Sequence, residues 1–140
     1  MYNKIIVPLD ASSPSRRAMT LALELARKTG AQLIVLYVKE LILLYHGALG
    51  HGGQYIPFNK FKSEDILNVI LTDMEIPPGS ICKRSATGNP ATLIVTVAAD
   101  ERANLIVMGS RGFGQLKGLL LGSVSQFVIK HAPCPVLIVK

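Results

Sequence analysis

The chain has 140 residues, 49% hydrophobic and 17% charged, with a formal net charge of +6; this fits one domain over 1–140 and excludes a disordered chain. Its two cysteines exclude a disulfide scaffold and fit a reduced, cytoplasmic setting. Neither a heptad nor an internal repeat is present, and no run of about 20 apolar residues suggests a membrane span.

Ile5, Ile6 and Val7 form a β-branched run of the kind buried on both faces, ended by Pro8 and Asp10. Ser12 and Ser13 are candidate caps for a helix whose first position suits Pro14, because that position needs no N–H. Ala18, Leu21, Ala22, Leu25 and Ala26 recur at helical spacing, and Gly30 supplies the stop. Residues 33–38 are a second buried strand, giving a β-α-β unit with parallel strands. Residues 39–59 follow no clear pattern, with a short apolar piece at 41–45 and a glycine-rich loop behind it. Residues 60–74 predict a modest second helix, ended by Pro77, Pro78 and Gly79. A strand at 81–86 comes next, then a helix capped by Asn89 with Pro90 at its first position. A strand at 105–108, a helix at 123–130 and a last strand at 136–139 complete the chain.

Strands and helices thus alternate as β-α-β-α-β-α-β-α-β, which predicts a five-stranded parallel sheet with helices on both faces. The expected strand order is 3-2-1-4-5, with a crevice between the first and fourth strands at their carboxyl ends. Two segments border it, residues 8–15 and 109–125. After Glu101 the chain has no Asp or Glu but carries Arg102, Arg111, Lys117, Lys130 and Lys140. A solvated basic face or an anion site would each explain this asymmetry. Nucleic acid fits poorly, since the cations are sparse and no aromatic platform accompanies them.

Gly109, Ser110, Arg111 and Gly112 follow the fourth strand directly, and Gly122 and Ser123 open the next helix. Glycine at 109, 112 and 122 would allow positive φ and close approach of a ligand. Ser123 and Ser125 would add hydroxyls at a helix N-terminus, where free amides and the helix dipole favour an anion. With Arg111 and Lys117 this is a phosphate-like environment. Neither a P-loop nor a G-x-G-x-x-G after the first strand is present. The spacing of His46, His51, His131, Cys82 and Cys134 matches no zinc site. Cys82 and Cys134 should sit at opposite sheet edges, too far apart for a disulfide.

Gly109-x-x-Gly112, nine residues, then Gly122-Ser123 resembles the G-2x-G-9x-G-[ST] signature of the ATP-binding branch of the universal stress protein family. The opening run Lys4 to Asp10, the run Gly122 to Ser125 and the tail from His131 to Val139 look similar to the same family. The resemblance covers residues 2–38 and 86–140, and the middle departs from it. It implies a Rossmann-like fold of the adenine nucleotide alpha hydrolase kind. It further implies that Asp10 and Val38 contact the adenosine half of a nucleotide, with Pro8 and Ala11 lining the same crevice. Met108, Gly109, Gly112, Gly122, Ser123, Val124 and Ser125 carry over to the rest of the site, with the glycine loop and serines holding phosphates. Arg111 and Lys117 would neutralise charge there.

The function expected is nucleotide-dependent stress response or signalling, with ATP, or else ADP or AMP, in the crevice and Mg or Mn on its phosphates. No catalytic residue stands out and no protein metal ligands are expected, so binding with at most slow ATP hydrolysis or self-phosphorylation is the reading. An interaction module without nucleotide is the alternative. The resemblance also implies a homodimer through the last strand, Val136 to Val139, whose apolar edge invites pairing.

Overall fold

A computed structural model of the chain describes residues 2–40, 43–44, 54–55, 63–112, 118 and 120–140. The elements are β1 (Lys4–Leu9), α1 (Ser13–Thr29), β2 (Gln32–Lys39), β3 (Leu43–Leu44), β4 (Gln54–Tyr55), α2 (Ser63–Leu71), β5 (Ile81–Thr87), α3 (Pro90–Asp100), β6 (Leu105–Gly109), α4 (Ser123–His131) and β7 (Val136–Val139). The main sheet has five strands in the order β5-β2-β1-β6-β7, all neighbours parallel. Counted within that sheet, the order is the predicted 3-2-1-4-5. β3 and β4 form a separate antiparallel pair inside the stretch the sequence left unassigned.

Alternation along the strands divides the core. Ile5, Val7, Leu33, Val35 and Val107 face α1 and α2, packing on Ala18, Met19, Ala22 and Leu67. Ile6, Ile34, Leu36, Ile106 and Met108 face α3 and α4, packing on Ile94, Ala98 and Val128. Helices therefore cover both faces, which is why the central strands read as unbroken apolar runs.

Local chemistry explains the helix ends. Ser12 caps α1, its side chain accepting from the Ser15 amide, and Gly30 closes the helix in the left-handed region at φ 73°. Asn89 caps α3 by accepting from the Thr92 amide at 3.2 Å. The second helix ends earlier than predicted, at Leu71 rather than 74, because the backbone turns at 72–73 well before the proline pair. The predicted start at 60–62 lies outside the described residues, as do His46, His51, Gly47, Gly50, Gly52 and Gly53. Cys82 and Cys134 are both free thiols, on or beside opposite edge strands. No helix among the described residues is long and apolar enough to cross a membrane.

The register of β1 accounts for an opening in the sheet. All six of its residues pair with β2, but only Ile5 and Ile6 pair with β6. Pro8 has no N–H to add to a ladder, and the β6 pairing ends before it. β1 and β6 thus part toward their carboxyl ends, where the chain order also reverses.

Candidate functional site

A cavity of about 380 Å³ opens at that parting, within the size range of small-molecule sites. Its described lining is of two chemical kinds. Pro8, Leu36, Val38, Pro90, Ile94 and Met108 make an apolar wall from β1, β2, α3 and β6. Asp10, Ser15, Arg111, Gly112, Gly122 and Ser125 make a polar wall from the loops after β1 and β6 and the start of α4.

Each polar group is held by backbone geometry. Asp10 Oδ1 accepts from the Ser12 amide at 3.0 Å, closing a tight turn through Ala11, which adopts φ 69°. Ala11 carries that strained conformation but does not itself line the cavity. Ser15 is buried; its hydroxyl donates to the Ser12 carbonyl at 3.1 Å and accepts a long 3.4 Å contact from the Asp10 amide. The Ser12 hydroxyl reaches the Arg111 carbonyl at 3.4 Å, tying the two loops together.

Gly109 and Gly112 serve space rather than dihedral freedom. Gly122 has φ −74°, and neither Gly109 nor Gly112 falls among the positive-φ residues, so the expectation of left-handed glycines at these three positions is wrong. A Cβ on Gly109 would lie 2.8 Å from the Pro14 carbonyl carbon and the Ser15 nitrogen. Gly109 is thus what lets β6 meet the start of α1. A Cβ on Gly112 would lie 2.8 Å from Asp10 Oδ2, so glycine there leaves the carboxylate its place.

α4 begins differently from α1 and α3. Gly122 caps it with no side-chain hydrogen bond, so no side chain of the cap residue occupies its first amides. The Gly122 amide itself donates to the Ser110 carbonyl at 2.7 Å. Ser123 is exposed and does not line the cavity, whereas Val124 and Ser125 do. Among the described residues, the charged lining is Asp10, Glu40 and Arg111. Burial first, and the Glu40 carboxylate second, push the Tyr37 phenol above its ordinary value, so Tyr37 stays neutral at the cavity.

Ten residues singled out from the sequence thus meet at one cavity: Pro8, Asp10, Val38, Met108, Gly109, Arg111, Gly112, Gly122, Val124 and Ser125. Ala11 and Ser123 stand beside it, and Lys117 lies outside the described residues. Sequence reasoning missed Leu36, Tyr37, Glu40, Pro90 and Ile94 as lining residues. Pro90 was read as a helix start, with nothing to show that the first turn of α3 leans over the crevice.

The model of the universal stress protein family matches residues 1–140. The chain belongs to that family. A universal stress protein of Methanocaldococcus jannaschii is 34% identical over 142 residues, covering 100% of this chain and 83% of the relative. The universal stress protein YxiE of Bacillus subtilis is 33% identical over 149 residues and matched along its whole length. Among solved structures, a universal stress protein from Lactobacillus plantarum superposes with a TM-score of 0.73 at 24% identity, over 99% of this chain and 98% of that one. A universal stress protein in complex with cAMP does so at 0.67 and 27% identity, over 99% and 97%. An Arabidopsis thaliana member with AMP bound does so at 0.65 and 23% identity, over 99% and 91%. These likenesses establish the universal stress protein fold for this chain, and the last two concern proteins that hold adenine nucleotides.

Proposed function

We propose that this universal stress protein binds an adenine nucleotide in the β1–β6 crevice, as a member of the ATP-binding branch, and acts as a single nucleotide-dependent module in stress response. The carrying observation is that one cavity is lined both by apolar side chains and by polar groups of the two loops and the start of α4. A purine suits the wall of Pro8, Leu36, Val38, Pro90, Ile94 and Met108. The Asp10 carboxylate is an acceptor, apt for ribose hydroxyls or the adenine amino group and unsuited to phosphate. Phosphates suit the loop of Arg111 and Gly112 and the first amides of α4. The relatives holding cAMP and AMP support the same ligand class.

ATP is the nucleotide proposed, with Mg or Mn carried on its phosphates. The described lining offers two carboxylates against one guanidinium, so a triphosphate needs further positive charge. A metal held through the phosphates would supply it. Its chemistry there would be charge neutralisation. Arg111 and the α4 amides hold and orient; they supply no general base. Binding with at most slow hydrolysis is the reading proposed.

A homodimer through β7 is part of the proposal. β5, at one edge, exposes Lys83 and Arg84, whereas β7, at the other, is wholly aliphatic and exposes Leu137. Charges blunt the first edge and leave the second available for pairing.

Calorimetric titration with Mg-ATP, AMP and adenosine tests the ligand, with Gly122→Val as control. Binding of ATP and AMP that Gly122→Val abolishes supports the reading. Absence of heat from every nucleotide with folded protein would replace it with an interaction module lacking nucleotide. Light scattering that gives a monomer would remove the dimer.

A further inference from the structure

We infer that Glu40 sets the base preference of the crevice, its carboxylate accepting from an exocyclic amino group and so favouring adenine over a base with a carbonyl there. The inference deepens the nucleotide reading above and rests on it. Glu40 is exposed and lines the cavity. Strand alternation explains its direction. Leu36 and Val38 face α3 and α4 from β2, and Glu40, two residues beyond Val38, continues that row just past the end of the strand. The Gly88 amide donates to the Lys39 carbonyl at 2.9 Å. That bond pins the start of α3, which brings Pro90 and Ile94 to the apolar wall, beside the end of β2.

Strand order then sorts the polar groups of the lining. β6, β1 and β2 are successive neighbours, about 4.8 Å apart. Arg111 and Gly112 follow β6, Asp10 follows β1 and Glu40 follows β2. With phosphates at the β6 loop and the start of α4, the middle place falls to the ribose and the far place to the base. The span from β6 to β2 is about 10 Å, the scale of a mononucleotide. Register agrees with this layout. Pro8 pairs with Leu36 and Leu9 with Tyr37, so Asp10 comes level with Val38 while Glu40 stands two residues farther out, at the rim of the wall that would hold the ring. The two carboxylates also differ in their bonds. Asp10 Oδ1 accepts from the Ser12 amide, whereas none of the described residues hydrogen-bonds or ion-pairs with the Glu40 side chain. A carboxylate only accepts, so it pairs with an amino group and repels a carbonyl oxygen.

Calorimetric titration with adenosine and with inosine tests this in the wild type, Glu40→Gln and Glu40→Ala. Inosine carries a carbonyl where adenosine has its amino group. Both nucleosides are uncharged, so a change in the cavity's net charge acts on them alike and cancels in their ratio. Wild type should prefer adenosine about tenfold, the scale of a hydrogen bond to a charged group. A glutamine amide offers either an oxygen or an NH2, so Glu40→Gln should cut the preference to about twofold by weakening adenosine and strengthening inosine. Glu40→Ala should cut it by weakening adenosine without weakening inosine. Glu40 is exposed, so urea unfolding should be the same in all three proteins. An adenosine preference that survives both substitutions would assign the base to other groups and overturn the inference. Equal wild-type affinity for the two nucleosides would overturn it too, and in both cases adenosine binding would leave the nucleotide reading standing. Failure of the wild type to bind adenosine, inosine and AMP alike would remove that reading and this inference with it.

Discussion

The position that a Cβ would take on Gly112 lies 2.8 Å from Oδ2 of Asp10. Two residues about a hundred positions apart, on the loops after β1 and β6, thus share one small volume, and the glycine exists for the carboxylate. Gly109 faces backbone instead, at 2.8 Å from Pro14 and Ser15 main-chain atoms. The same substitution should therefore have different consequences at the two sites. Gly112→Ala can be absorbed by a shift of the Asp10 side chain that strains its bond to the Ser12 amide, so stability falls by at most about 1 kcal/mol while adenosine affinity falls about tenfold, the scale of lost hydrogen bonds to a charged group. Gly109→Ala must shift α1 against β6 and should cost about 1–3 kcal/mol. Urea unfolding paired with adenosine titration separates the two, and equal loss of stability in both variants would contradict the assignment.

Removing the α1 cap should register in stability. Ser12 Oγ accepts from the Ser15 amide at 3.3 Å and is buried. Ser12→Ala should cost about 1 kcal/mol in urea unfolding, and Ser12→Asp, which keeps an acceptor, should recover part of it.

Acid should weaken one ion cluster at the amino end of the sheet. Glu101 Oε2 lies 3.1 Å from Lys4 Nζ, and Oε1 lies 3.4 Å from Arg84 Nη2. The Lys4 hydrogen bond is the largest cause holding the Glu101 carboxyl below its ordinary value, opposed by some desolvation and helped by the charges of Lys4 and Arg84. A folded value below the unfolded one means stabilisation that is present above the unfolded value and lost as pH falls through the folded one. Wild type should exceed Glu101→Gln in stability at neutral pH, and the gap should close below the usual glutamate value of about 4.3. A gap independent of pH would rule out the ion pairs as its source.

Burial pushes the Cys134 thiol above its ordinary value, so less of it is thiolate at neutral pH than of an unperturbed cysteine. Labelling of Cys134 by a disulfide reagent, followed in Cys82→Ser protein, should be slow when folded and speed up in urea. Fast labelling of the folded protein would contradict this.

Much of the fold was legible because burial on both faces writes itself into composition. The apolar stretches of β1, β2 and β6, the Ser12 and Asn89 caps, and Pro14 and Pro90 at helix starts each have a local physical cause. α2 was overextended because its apolar spacing persists through Met74, whereas the backbone has already turned at 72–73. The glycine loop was legible as a motif, yet its reason was misread, since spacing along the chain carries no record of which backbone or carboxylate will stand 2.8 Å away.

By itself, then, the sequence determined the alternation of strands and helices, the strand order and the loops that border the crevice, because periodicity, capping and the handedness of β-α-β units are local or nearly so. Tertiary structure alone decided that Pro90 and Ile94 complete the apolar wall, that Gly112 makes room for Asp10, and that the Ser12 hydroxyl ties the loop after β1 to the Arg111 carbonyl. Those are relations across the sheet, set when the helices dock on its faces, and no spacing within a single element encodes them.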